Sequence, residues 1–197
     1  MGHQKSIRKA RGSLKIWSGA LLATLLMTVS CGGDKVSRVV CPQAGVLYDA
    51  SRVTIFGPGP KKNLQNLAYD AEIGDVSIKC KYNGDTIKSE ISFSLDLSAG
   101  PAARAGKQPF RYFIALTELN SAILSKKIYV EEVEFNPEKP HVVLTKKVGG
   151  LEINYKRLGR GDLYEILVGW ELTPEQLAYN RTHSQFDRPN LRRAVHP

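Results

Sequence analysis

The sequence predicts an all-β fold. The expected architecture is an antiparallel β-sandwich, immunoglobulin-like or similar, of about seven or eight strands with a short C-terminal helix. Two observations predict it. Apolar and polar residues alternate through much of residues 46–172, which is the period of a strand with one buried face. Turn-forming pairs such as Asn83-Gly84 and Gly149-Gly150 interrupt the alternation at short spacing, the pattern of antiparallel strands joined by tight connections.

The chain opens on an address rather than a strand. Residues 1–15 carry Lys5, Arg8, Lys9, Arg11 and Lys15 and no acidic residue. An apolar run follows from Ile16 to Val29, and the small residues Thr28 and Ser30 close it. A basic segment, a short apolar run and a small-residue cleavage site make a secretory signal peptide, placed at 1–30. A membrane-spanning helix needs about 20 apolar residues, more than this run supplies. The alternative is an uncleaved N-terminal anchor. Met27-Thr28-Val29-Ser30-Cys31 resembles a bacterial lipobox, with Thr28 where the usual pattern has Leu. The resemblance implies lipid attachment at Cys31 and anchoring in the membrane through that lipid. Acyl chains contribute about 0.8 kcal/mol per buried CH₂, and more than one chain holds stably. Gly32, rather than Asp, after the cysteine points to the periplasmic side of the outer membrane in the enterobacterial sorting scheme. The lipidated cysteine and a tether are placed at 31–45, the β-sandwich at 46–181, and a mobile basic tail at 182–197.

Within the domain, Arg52 to Phe56 reads as extended, and Gly57-Pro58-Gly59-Pro60 breaks it. Leu67, Tyr69, Ala71 and Ile73 share one face; beyond Gly74-Asp75 the apolar phase moves to Val76, Ile78, Cys80 and Tyr82. A one-residue phase change at a glycine predicts a β-bulge. Asn83-Gly84 predicts a two-residue type I′ hairpin that pairs Tyr82 with Asp85 and Cys80 with Ile87. The outgoing strand then shows Ile87, Ile91, Phe93, Leu95 and Leu97 on the same face. Phe110 to Leu119 has apolar residues on both faces and reads as a central strand. Ala122 to Phe135 is a further strand with a phase shift at Glu131-Glu132. Gly149-Gly150 predicts a second hairpin, between His141–Val148 and Leu151–Lys156. Tyr164, Ile166, Val168 and Trp170 form the face of the last strand. Thr173-Pro174-Glu175-Gln176 then supplies a helix N-cap, a proline at the first helical position and the glutamine of a capping box.

The formal charge of +9 invites a nucleic-acid reading until it is located. Five of the 28 basic residues lie in residues 1–15, leaving 23 against 19 acidic residues after position 30. The tail 181–197 holds a further net +3, so residues 31–180 are nearly neutral. The domain has no basic face, and nucleic acid is excluded as a partner. Three cysteines become an even pair once Cys31 is assigned to lipid. Cys41 and Cys80 then form a disulfide in an exported protein, the alternative being two buried free thiols. There is no Cys-x-x-Cys and no Cys/His cluster, so no metal site is expected.

Catalytic motifs are missing as well. Among the four histidines only His141 falls in the domain, and no Gly-x-Ser-x-Gly accompanies it; it reads as a strand-end residue. Glu131, Glu132 and Glu134 read as an exposed strand edge, and the lysine pairs as solvated surface. Asn180-Arg181-Thr182 spells a glycosylation sequon and Arg160-Gly161-Asp162 an adhesion tripeptide; both are discounted, the second as ordinary turn chemistry.

Several segments together resemble a family of alphaproteobacterial exported proteins described only as lipoproteins. They are Cys41-Pro42, Asp49 to Thr54, Tyr69 to Ile73, Cys80-Lys81-Tyr82, Gly100 to Ala103, Tyr112 to Ala115 and the closing stretch Tyr164 to Arg181. The resemblance implies a lipoprotein and carries no catalytic residue and no cofactor with it. The expected function is a lipid-anchored periplasmic envelope protein, a structural or protein-interaction module rather than an enzyme, with an envelope protein as partner. The alternatives are an envelope enzyme or a small-ligand carrier whose site forms only in three dimensions.

Overall fold

The computed structural model describes residues 40–118, 122–154 and 161–183. The signal segment, Cys31, the tether to residue 39 and the tail 184–197 lie outside the described residues, as do 119–121 and 155–160.

Eight strands form two sheets. They are β1 (Gln43–Val46), β2 (Arg52–Phe56), β3 (Leu67–Asn83), β4 (Thr86–Ala99), β5 (Gly106–Glu118), β6 (Ile123–Phe135), β7 (His141–Asn154) and β8 (Tyr164–Trp170). One sheet has the order β1-β8-β5-β6 and the other β2-β3-β4-β7. All neighbours are antiparallel except β1 and β8, which run parallel. Among the described residues one α-helix, α1 (Pro174–Thr182), is present, and it follows β8. The chain changes sheet four times, between β1 and β2, β4 and β5, β6 and β7, and β7 and β8. The β4–β5 and β7–β8 connections join neighbouring pairs, because β4 neighbours β7 in one sheet and β5 neighbours β8 in the other. This is the all-β sandwich expected from the alternation.

The inner faces supply the core. Ile87, Ile91, Phe93, Leu95 and Leu97 of β4 and Tyr164, Ile166, Val168 and Trp170 of β8 are all buried to 1% exposure or less. Phe93 meets Tyr112 edge-on at 5.5 Å, and Phe110 lies 5.9 Å from Trp170 between ring centroids. Each such side chain contributes roughly 1.5–3 kcal/mol by leaving water. Phe113 and Ala115, on the other face of β5, form a small cluster with Ala50 and Leu172. Pro109 sits in β5 opposite Glu132 of β6, at a level that β8 does not reach. Its missing N–H therefore deprives no ladder partner on that side.

The bulge expected at Gly74-Asp75 is present. Asp75 and Val76 together oppose Phe93, and Asp75 has a φ of 50°. Its carboxylate accepts a hydrogen bond from Ser94 Oγ at 2.8 Å, which helps a non-glycine residue hold the left-handed conformation.

Four expectations need correction. The β3–β4 ladder closes at Asn83 and Thr86, so the two-residue loop is Gly84-Asp85 rather than Asn83-Gly84. Only its first residue has positive φ, 59° at Gly84, the signature of a type II′ rather than a type I′ turn. Tyr82 consequently pairs with Ile87 and Cys80 with Ser89. The displacement is two residues, an even number, so every side chain keeps its expected face. Gly149-Gly150 is not a hairpin. β7 runs straight through it, and the two glycines oppose Glu90 alone as a bulge, with Gly150 at φ 75°. The reason is non-local: β4 is long enough to pair with both halves of β7, and a turn would strand half of its edge. No register shift occurs at Glu131-Glu132; the irregularity in β6 is at Leu124. The apparent phase change arises because Ile128 and Val130 are apolar on the outer face while Val133 and Phe135 are apolar on the inner. Finally, Gln43–Val46 is a strand although residues 43–45 fall in the expected tether, and Thr182 with His183, placed in the tail, end the helix. A four-residue strand is too short to show alternation, and what holds it is its pairing with β8.

Cys41 and Cys80 form a disulfide with Cα atoms 5.7 Å apart. It ties the chain just before β1 to β3, beside a second small core of Ile87, Ile153 and Tyr164. Gly161 completes this end. A Cβ there would lie 2.3 Å from the carbonyl oxygen of Val40, so only glycine fits. Replacing both cysteines by serine is expected to lower stability by about 2–4 kcal/mol, read from denaturant midpoints. An unchanged midpoint would show that the bridge adds nothing to the fold.

Burial, with the carboxylate of Glu131 and the ring of Tyr129 adding to it, pushes the Tyr112 phenol up to about 12 from its usual 10. Burial raises Tyr164 as well, helped by Glu118. The unfolded chain ionises Tyr112 first, so above pH 10 it binds fewer protons than the folded chain, and stability falls as pH rises from 10 to 12. Tyr112→Phe should flatten this alkaline loss in thermal unfolding curves between pH 9 and 11. A slope equal to wild type would refute the assignment.

Candidate functional site

The densest polar cluster among the described residues lies where the start and the end of the domain meet. After β1, the segment Tyr48–Ala50 makes one 3₁₀ turn and leads into β2. Arg52, Thr54 and Asp70 follow on β2 and β3, all more than 90% buried. Arg52 Nε donates to Asp70 Oδ1 at 2.7 Å, and its Nη2 donates to Asp70 Oδ2. Thr54 Oγ1 donates to Asp70 Oδ1 at 3.3 Å. A bidentate guanidinium–carboxylate pair satisfies both groups in one plane, which a buried charge requires.

α1 closes over this place. Its start is built as expected: Gln176 N–H donates to Thr173 Oγ1 at 3.2 Å, and Thr173 N–H donates to Gln176 Oε1 at 2.9 Å. The helix then brings Asn180 inward. Its amide donates to the carbonyls of Asp49 at 2.8 Å and Arg52 at 2.7 Å. Arg181 Nε donates to the Asp49 carboxylate at 2.8 Å. The sequon asparagine is thus a buried structural clamp. The segments at 49–54, 69–73 and 164–181 converge here.

Beside the clamp runs an open groove of about 270 Å³ between the loop after β2 and α1. Thr54, Phe56, Lys62, Glu175 and Tyr179 line it. Tyr179 packs edge-on against Phe56 at 5.5 Å, stacks on His183 at 4.1 Å, and has the Lys62 ammonium 5.7 Å from its ring centre. Asn66 shapes the loop by donating its amide to the carbonyls of Gly57 and Lys61. The groove offers an aromatic surface, a cation and a carboxylate, which are means of binding. Its buried hydroxyl, Thr54, shares a carboxylate whose two oxygens Arg52 already holds.

The other sequence candidates fall elsewhere. Cys31 lies outside the described residues. Cys41 and Cys80 are bridged at the residue-40 end of β1, where Tyr82 Oη donates to the Val40 carbonyl at 2.9 Å. His141 begins β7, half exposed, with its Nε2 2.8 Å from Asp96 Oδ1. Glu131 pairs with Lys146 at 2.7 Å and Glu132 with Lys107 at 3.9 Å, along the edge strand β6. Of the Arg-Gly-Asp tripeptide, Arg160 lies outside the described residues, and Gly161 is buried in the 3₁₀ turn Gly161–Leu163. Among the described residues no group of three or more His, Cys, Asp or Glu is arranged to hold a metal ion, and no helix is long and apolar enough to cross a membrane. The buried pair escaped the sequence reading because Arg52 and Asp70 occupy the polar positions of alternating strands, where exposure is the default.

No protein-family model, no curated protein and no solved structure matches the chain.

Removing one partner of the buried pair strands the other charge. Asp70→Asn is expected to cost about 3–5 kcal/mol, while Arg52→Met with Asp70→Leu recovers much of that loss. Chemical denaturation of the three chains checks this; a single variant within about 1 kcal/mol of wild type would overturn it.

Proposed function

We propose that the chain is a lipid-anchored envelope protein whose β-sandwich serves as a protein-interaction module in the periplasm. The observation that carries the proposal is the N-terminal constellation: a basic segment, an apolar run of signal-peptide length, and Cys31 behind small residues. On this reading residues 1–30 are removed, Cys31 takes lipid, and the residues up to Val40 form the tether. The disulfide between Cys41 and Cys80 is consistent with it, since disulfides persist in exported proteins. The likeness to exported lipoproteins points the same way, and Gly32 favours the outer membrane over the inner.

The interaction role is supported by what the domain presents. Core side chains fill the space between the sheets, leaving groove and strand edges as the surfaces for recognition. Binding fits these surfaces better than catalysis, because no nucleophile and base are held together in the groove among the described residues. The anchor has a direct test. Cells producing the full chain and fed labelled palmitate should label wild type and leave Cys31→Ala unlabelled. Absence of label from both, with normal production, would overturn the lipoprotein reading.

A further inference from the structure

β6 is the outer strand of its sheet, so one row of its backbone N–H and C=O groups points away from β5. It is thirteen residues long, and Tyr129 is its midpoint. Four of the eight large hydrophobic side chains exposed among the described residues lie on it: Ile123 at 67%, Leu124 at 40%, Ile128 at 42% and Val130 at 53%. A long apolar edge of this kind is open to pairing with another strand.

Charge along β6 is segregated. Lys126 and Lys127 precede the midpoint, and Glu131, Glu132 and Glu134 follow it. We propose that β6 pairs antiparallel with β6 of a second copy, about a two-fold axis at Tyr129, to give a dimer with one continuous eight-stranded sheet. In this register Lys126 faces Glu132 of the other copy, Lys127 faces Glu131, and Ile128 faces Val130. Symmetry makes each contact twice. Cross-strand pairs of opposite charge and of apolar side chains are the favourable ones, and like charges directly opposed are not.

Competing registers lose this match. Parallel pairing in register sets lysine on lysine and glutamate on glutamate. Moving the antiparallel axis two residues toward the start of β6 sets Lys127 on Lys127, and two residues toward its end sets Glu131 on Glu131. A move of one residue keeps at most Lys126 opposite Glu134, so the register centred on Tyr129 opposes the most unlike charges. The contact is isologous, so two copies use up both edges and growth stops. The present ion pairs of Lys126 with Glu171 and Glu132 with Lys107 sit on exposed or half-exposed side chains and can coexist with it. Glu131 is shared with Lys146 at the inner side of the edge.

The test uses the full chain with its own N-terminal segment, purified in mild detergent, so that the result holds whether or not Cys31 carries lipid. Sedimentation should show a dimer. Lys126→Glu alone and Glu132→Lys alone each oppose like charges twice and should weaken dimerisation at least tenfold, with unchanged circular dichroism. The double variant K126E with E132K should return to within a few-fold of wild type. Tyr129→Cys should cross-link to its own copy under a mild oxidant, while Lys126→Cys, far from the axis, should not. A monomer at 100 µM, single variants that dimerise like wild type, or a Lys126→Cys cross-link as strong as that of Tyr129→Cys would each overturn the proposal.

Discussion

The pairing of Arg52 with Asp70 is the constraint that the organisation of this domain depends on. A guanidinium removed from water must be met by fixed acceptors, and a bidentate carboxylate meets it in one geometry only. That geometry fixes how β2 lies on β3, with Thr54 opposite Asp70 in the ladder. β2 is also where the chain first leaves the β1 sheet for the other one. The Arg52 carbonyl, on the same residue, is one of the two that Asn180 binds. The first crossing between sheets and the final helix are thus referred to one side chain and its backbone. Loosening it frees the edges β1 and β2 and the helix together.

The opposite end of β1 is held by different means. There the disulfide, the Tyr82–Val40 hydrogen bond and the close approach of Gly161 to Val40 secure the chain where it enters the domain. The bridge joins the start of the domain to β3, its longest strand, rather than to four-residue β1 alone. The groove, the clamp and the last helix lie beyond the other end of β1.

Surface features divide in the same physical way. The lysine and glutamate runs look like generic solubility in one dimension. In the fold several acquire assigned neighbours: Lys146 meets Glu131, Lys126 meets Glu171 and lies over Phe113, and Lys62 lies over Tyr179. The apolar residues on the outside of β6 are the exception that charge pairing does not absorb. They are also what disguised the register of that strand in the sequence, since an edge strand with apolar residues on both faces has no clear phase.

Local chemistry alone determined the strands, their faces, the Asp75 bulge, the capped helix and the bridged cysteine pair. The strands, bulge and helix rest on a period of two, a turn residue or a cap that acts within a few positions, and the cysteine pair on the count of cysteines left after Cys31. The same reading expects a signal segment at 1–30 and lipid on Cys31, which are matters of composition and spacing rather than of packing. Tertiary structure decided what spacing cannot encode. It chose Gly84-Asp85 over Asn83-Gly84, because an even slip leaves the buried faces unchanged and the alternation cannot detect it. It made Gly149-Gly150 a bulge, because distant β4 offers a partner along the whole of β7. It recruited Gln43–Val46 into a parallel pair, and it buried Arg52, Asp70 and Asn180, which a sequence pattern assigns to water. Apart from the Gly84-Asp85 turn, the deciding partner lies far along the chain, where periodicity carries no information.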